Sequence, residues 1–256
     1  MWSPATLEEM CHAPDDRPAI RAVGGAASNA GALVLRSSDG TRFDAFFARA
    51  ENRTGVGMVV LPDNGGLGEF YKELAHRLAA EGVEALTIDY YGRTSGLGPR
   101  PAGFNSDEHM AMTSPETVDA DVRAAIEYLR SPEGGGVKKV FTVGFCFGGA
   151  ISWRQSARGV DGAIGFYGSG AALRESVPDL RVLVAPLLLL VAEADPYFPI
   201  EDSRRIDADL EEAGVPHRTV IYAGAPHGFF SSGEWEEACG DSWREVLEFV
   251  RRYAIA

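Results

Sequence analysis

Cysteine is scarce. The chain has three in 256 residues, Cys11, Cys146 and Cys239, an odd number without the paired spacing of a metal site. That excludes a disulfide framework and suits a reducing compartment, where a thiol stays available for chemistry. Positive charge is also in deficit, with 24 Lys and Arg against 37 Asp and Glu, for a net charge of -13. Such a field repels polyanions and argues against nucleic acid or an anionic membrane as partner. The most apolar stretch, residues 182–192, is too short to span a bilayer and is interrupted by Pro186. The opening residues, MWSPATLEEMCHAPDDRPAI, have no basic segment followed by an apolar one, so no signal peptide is expected and the expected location is the cytoplasm. What remains is a small-molecule partner, bound by a monomer or a small homo-oligomer.

Hydrophobic residues make up 45% of the chain, enough for one large core. After a Gly- and Ala-rich lead-in within residues 1–30, two strand-like runs, 32–36 and 42–48, flank the turn SSDG and predict an antiparallel hairpin. From Val56 onward strands and helices alternate. VGMVVL, VEALTIDYY, KKVFTVG, GAIGFYG, LLLLVAEAD and RTVIYAG read as strands. Phe70, Leu74 and Leu78 recur at helical spacing before Gly82, and Ser114-Pro115 caps a helix whose apolar face carries Val118, Val122, Ile126 and Leu129. Further helices are expected around 206–213 and from Trp235 to Val250. Nearly continuous apolar strands predict an α/β fold, with a mostly parallel sheet covered by helices on both faces and the hairpin as an antiparallel edge. No linker divides the chain, so 1–256 reads as one domain. The connection 91–113, rich in Gly and Pro, is longer than a βα loop needs to be and reads as a lid or pocket wall.

The stretch TVGFCFGGA ends a strand in G-x-C-x-G-G and enters a helix. This is the form of a nucleophile elbow, a turn so tight that small neighbours, here Gly144 and Gly148, must clear the nucleophile. The helix N-terminus favours a thiolate on Cys146, and the N–H of Phe147 is placed to receive an oxyanion. By itself the pattern fits a small buried core cysteine equally well. Its partners decide between the two readings. On such a sheet the acid and the histidine follow the nucleophile in chain order, from loops after later strands. Asp195 follows LLLLVAEA, with Glu193 as a nearby competitor, and His227 lies in a Gly/Pro loop after RTVIYAG. His12, His76, His109 and His217 have no comparable setting.

These motifs resemble the dienelactone hydrolase family, α/β-hydrolases that use cysteine in place of serine. GFCFGGA matches the family elbow, AEADPYFP its acid loop and AGAPHGF its histidine loop. The resemblance implies an α/β-hydrolase fold and a Cys146-His227-Asp195 triad. It also implies a carboxylate beside the thiol at Asp63, where the family has glutamate, and a second oxyanion donor at the N–H of Asn64. From DYYGR it implies substrate binding by Arg93 and Tyr91. Family members that act on dienelactone carry a second arginine four residues after the histidine, where this chain has Ser231. The hydrolytic machinery carries over and the acyl substrate stays open.

The expected reaction is thiolate attack on a lactone, ester or other activated acyl compound, an acyl thioester, and its hydrolysis. No metal or organic cofactor is implied. A class I glutamine amidotransferase would place its glutamate two residues after the histidine, where Phe229 stands. An isomerase, cyclase or acyl-transfer enzyme on the same elbow, and a non-catalytic small-molecule binding protein, are the alternatives.

Overall fold

The computed structural model describes residues 17, 18, 20, 29–100, 103–231 and 233–255. Most of the lead-in, with Cys11 and His12, lies outside the described residues. The first four strands are ordered β1-β2-β4-β3 and the last four β5-β6-β7-β8. The described residues up to Lys138, apart from Pro18 and Ile20, make one compact unit; Pro18, Ile20 and those from Lys139 onward make a second.

In the first unit β1 (Asn29–Arg36) and β2 (Arg42–Arg49) form the expected antiparallel hairpin, paired from Arg36 with Arg42 to Asn29 with Arg49. Gly40, at φ 91°, turns the chain between them, a conformation open to glycine at little cost. β1 starts three residues before the apolar run because Phe47, Ala48 and Arg49 offer it ladder partners. β3 (Val56–Leu61) and β4 (Val83–Ile88) are parallel, and every residue of both is buried. α1 (Glu69–Ala80) buries Phe70, Leu74 and Leu78 as their spacing predicts, and α3 (Pro115–Arg130) starts at a capping box between Ser114 and Thr117.

Two features of this unit depart from the sequence reading. β4 ends at Ile88 rather than Tyr91, because the Asp89 carboxylate accepts the N–H of Tyr91 at 3.2 Å and bends the chain into a short 3-10 turn at Tyr91–Arg93. The connection 91–113 also contains a helix, α2 (Ser106–Ala111), capped by the Asn105 side chain. Only Ser106 of α2 is buried, so no apolar periodicity marked it.

In the second unit β5 (Lys139–Phe145), β6 (Gly162–Phe166), β7 (Leu187–Ala192) and β8 (His217–Tyr222) run parallel in sequence order. Leu187 to Leu190 are all fully buried, each contributing about 1.5–3 kcal/mol by transfer. α4 (Phe147–Arg154), α6 (Ile200–Glu212) and α7 (Glu236–Ala254) lie where strand-helix alternation requires them. α5 (Gly170–Ser176) was not anticipated; it is short, capped by Ser169, and buries one large side chain, Leu173. No described helix is long and apolar enough to cross a membrane.

Candidate active site

The second unit builds its site at the junction of β5 and α4. Cys146 adopts φ 51° and ψ -112°, in the left-handed half of backbone space that bulky residues avoid. The surroundings enforce this. The Cys146 N–H donates to the Phe166 carbonyl at 3.1 Å, and the Cys146 carbonyl accepts from Gly149 N–H at 3.0 Å. A Cβ on Gly144 would lie 1.9 Å from the Gly148 carbonyl oxygen, so strand and helix meet only because Gly144 has none. Phe147 opens α4, and its N–H belongs to the outward-facing set at a helix start. The thiol is free of any disulfide and 4% exposed.

Asp195 and His227 arrive from the loops after β7 and β8. His227 Nδ1 lies 2.6 Å from Asp195 Oδ2, with both side chains almost wholly buried. Asp195 Oδ1 accepts the N–H groups of Tyr197 at 2.8 Å and Phe198 at 3.0 Å. Two backbone donors and the imidazole therefore fix the carboxylate's plane. Glu193, the competing acid, is exposed and accepts the Gly224 N–H instead, which leaves the histidine to Asp195. The imidazole also hydrogen-bonds the Cys146 side chain. Burial disfavours the charged ring, but hydrogen bonds to Asp195 and Cys146, and the negative charge on both, outweigh it and raise the His227 pKa to about 9.

The residues singled out by resemblance in the first unit have other partners. Asp63 and Asn64 follow β3 and are buried. Asp63 Oδ1 accepts Gly65 N–H at 2.8 Å within its own turn, and Asp63 N–H donates to the Tyr71 hydroxyl at 3.0 Å. Tyr91 is fully buried and its hydroxyl donates to the Asn64 carbonyl at 2.6 Å. Burial, then the carboxylates of Asp63 and Asp89, push that phenol upward, so it stays a donor. Arg93, expected from resemblance to bind substrate, is engaged in ion pairs within the first unit. Its guanidinium pairs with Asp121 at 2.7 Å and with Asp39, and it donates to Thr41 Oγ1 at 2.8 Å. Two carboxylates thus share one guanidinium. Asp121 itself is buried and also accepts from Ser37. Ser231 turns back on its own loop, donating to the Gly228 carbonyl at 2.9 Å.

Sequence reasoning missed two groups. Arg100 lies over the rings of Tyr91 and Phe104, 5.1 and 4.8 Å from their centroids, and pairs with the buried Asp89. Around His227 stand Tyr167, Tyr197 and Phe198, with ring centroids 4.8 to 5.4 Å from its own. The only sequence signal for Tyr167 is its position between a strand and two glycines in GFYGSG.

A parallel α/β sheet with a cysteine at a strand-to-helix elbow, linked through histidine to aspartate, defines a hydrolase class, and comparison with known proteins narrows it. The dienelactone hydrolase family matches residues 43–254, and the chain belongs to that family. Curated relatives include a protein of Saccharolobus solfataricus named "Putative carboxymethylenebutenolidase", 27% identical, the match covering 86% of this chain and 97% of the relative. One of the same name from Escherichia coli K12 is 25% identical, with 84% of each chain covered. Among solved structures, one titled "Putative Dienelactone Hydrolase" from Klebsiella pneumoniae superposes with a TM-score of 0.74 at 24% identity, covering 88% of this chain and all of that one. A dienelactone hydrolase-like promiscuous phosphotriesterase from metagenomic libraries gives 0.73, also at 24% identity, covering 90% of this chain and 99% of that one. These structural likenesses establish the fold.

Proposed function

We propose that the protein hydrolyses a small lactone, ester or thioester through an acyl-cysteine intermediate. The observation that carries this reading is the chain of contacts from Cys146, held at φ 51°, to His227 and on to Asp195 at 2.6 Å. The Cys146 thiolate attacks the carbonyl carbon, and the carbonyl oxygen takes the negative charge. The Phe147 N–H supports that oxyanion; such a donor is typically worth about 2.7–4 kcal/mol in the transition state. The imidazolium gives its proton to the departing oxygen or sulfur, leaving a thioester on Cys146. Water, deprotonated by the now neutral His227, then attacks the thioester and regenerates the thiolate and the ion pair.

Thiolate is a better leaving group than alkoxide, so amides fall behind lactones, esters and thioesters as substrates. The curated relatives are named for a butenolide, an unsaturated lactone, which supports an activated cyclic ester as the substrate type. Three cysteines, few and odd in number, favour a reducing compartment such as the cytoplasm. The test is a screen of lactones, esters and thioesters with intact-mass detection. Wild-type protein should gain the acyl mass on Cys146, and Cys146→Ala should stay folded, lose turnover and gain no mass. Turnover by the folded Cys146→Ala variant would refute the assignment.

A further inference from the structure

Among the described residues two that are not glycine have positive φ, Cys146 and Tyr167, the latter at 36°. Cys146 is the elbow; Tyr167, at the end of β6, has no part in the steps above. A bulky residue holds this conformation only where its surroundings over-determine it, and such residues cluster at functional sites. Here they do over-determine it. The Phe166 carbonyl is held by the Cys146 N–H at 3.1 Å, and the Tyr167 N–H donates to the Leu190 carbonyl at 2.7 Å. Gly168 is pressed against the start of α4, where a Cβ on Gly149 would lie 2.9 Å from the Gly168 Cα. The two strained residues are thus tied together through one peptide.

The consequence is the placement of a ring. The Tyr167 centroid lies 4.8 Å from that of His227, the closest of the three rings around the imidazole; Tyr197 and Phe198 approach it edge-on at 5.2 and 5.4 Å. Phe229 stands edge-to-face behind Tyr167 at 5.6 Å and restricts its movement. The titratable groups that meet the imidazole in this unit are Asp195, Cys146, Tyr167 and Tyr197. An aromatic ring within about 6 Å of a cation attracts it. Resting on the ion-pair reading above, we infer that Tyr167 is a positioning residue for His227: its ring fixes the imidazole plane and favours the imidazolium that partners the thiolate. The tyrosine's left-handed backbone is the means by which β6 delivers that ring.

The test compares Tyr167→Phe, Tyr167→Leu and Tyr167→Gly. Phenylalanine keeps the ring, leucine removes it, and glycine removes it while suiting the backbone, so the glycine variant carries the comparison if leucine fails to fold. The readout is the pH dependence of Cys146 alkylation by iodoacetamide, followed by peptide mass mapping, with kcat and KM for a thioester alongside. Wild type and the Phe variant should show the same profile. In the Leu and Gly variants alkylation at pH 7 should slow about 2- to 30-fold, with its midpoint moved up toward that of an ordinary thiol and kcat falling while KM holds. Leu and Gly variants that fold and keep the wild-type profile would overturn the role of Tyr167. A wild-type midpoint at the ordinary thiol value, about 8.5, would instead overturn the ion-pair reading, and the inference with it.

Discussion

Adding one methyl group at Gly144 tests whether the elbow's geometry, rather than the mere presence of a thiol, gives the site its reactivity. A Cβ there would lie 1.9 Å from the Gly148 carbonyl oxygen and 2.9 Å from Gly149 N. Carbon and oxygen ordinarily approach no closer than about 3.3 Å, so the start of α4 must move by about 1.4 Å relative to the end of β5. All the atoms in the way are backbone, and none can rotate aside. The first turn of α4 carries Phe147 N–H, and Cys146 sits at the pivot with its own N–H bonded to Phe166. Overpacking of this kind costs about 1–3 kcal/mol of stability, and a misplacement of about 1 Å costs about 100-fold in rate. Gly144→Ala should therefore lose about two orders of magnitude in kcat/KM toward a thioester or lactone, along with a lower Tm. Assays run well below Tm, with circular dichroism confirming the fold, separate the two effects. A folded Gly144→Ala variant with wild-type kcat/KM would refute the argument that close backbone contact holds the thiol in its reactive position.

Two further outcomes follow from the ionisation of the site and from the partners of Arg93. Because the folded pKa of His227 is raised to about 9 from an ordinary 6.5, its contribution to stability is complete below about pH 6.5 and is lost as pH rises through about 9. The same proton is needed for leaving-group departure, so kcat/KM should decline on the alkaline side with a midpoint near 9; a midpoint near 6.5 would contradict the ion pair. Arg93→Ala leaves the buried Asp121 carboxylate without its guanidinium and should lower unfolding free energy by about 3 kcal/mol in denaturant titrations. It should not raise KM selectively for carboxylated substrates, whereas a selective rise would restore Arg93 to ligand binding.

What could be read in the sequence follows from how local the constraint is. The elbow is written in seven adjacent residues because a tight turn admits few side chains, and β3 to β7 are written as apolar runs because a parallel sheet buries both faces. Asp195 and His227 were reachable because a parallel sheet brings the loops after successive strands to the same end. The fate of Arg93 was not legible, because its acidic partners lie 54 and 28 residues away and nothing in DYYGR separates an ion-paired arginine from a ligand-binding one. Tyr167 was hidden for a related reason. Its left-handed backbone comes from the approach of Gly168 to α4 and from a hydrogen bond to β7, contacts made only when the chain is folded. The short helices α2 and α5 bury too few apolar side chains to leave a periodic trace.

The charge balance of the site explains how one histidine can serve both halves of the proposed reaction. In the free enzyme, burial opposes protonation of His227, and the raised pKa exists because Asp195 and Cys146 together overcome that burial. Asp195 is a constant in this balance, held by its two backbone donors at 2.8 and 3.0 Å. Cys146 is a variable, because acylation turns its thiolate into a neutral thioester and removes both its charge and its hydrogen bond to the ring. Burial then faces Asp195 alone, and the imidazole pKa falls. The ring is thus an acid when the leaving group needs a proton and becomes a base once water must be activated, without any movement of the backbone. Acylation needs the protonated ring and fails above the higher imidazole pKa, deacylation needs the neutral ring and fails below the lower one, so both half-reactions run in the interval between the two values.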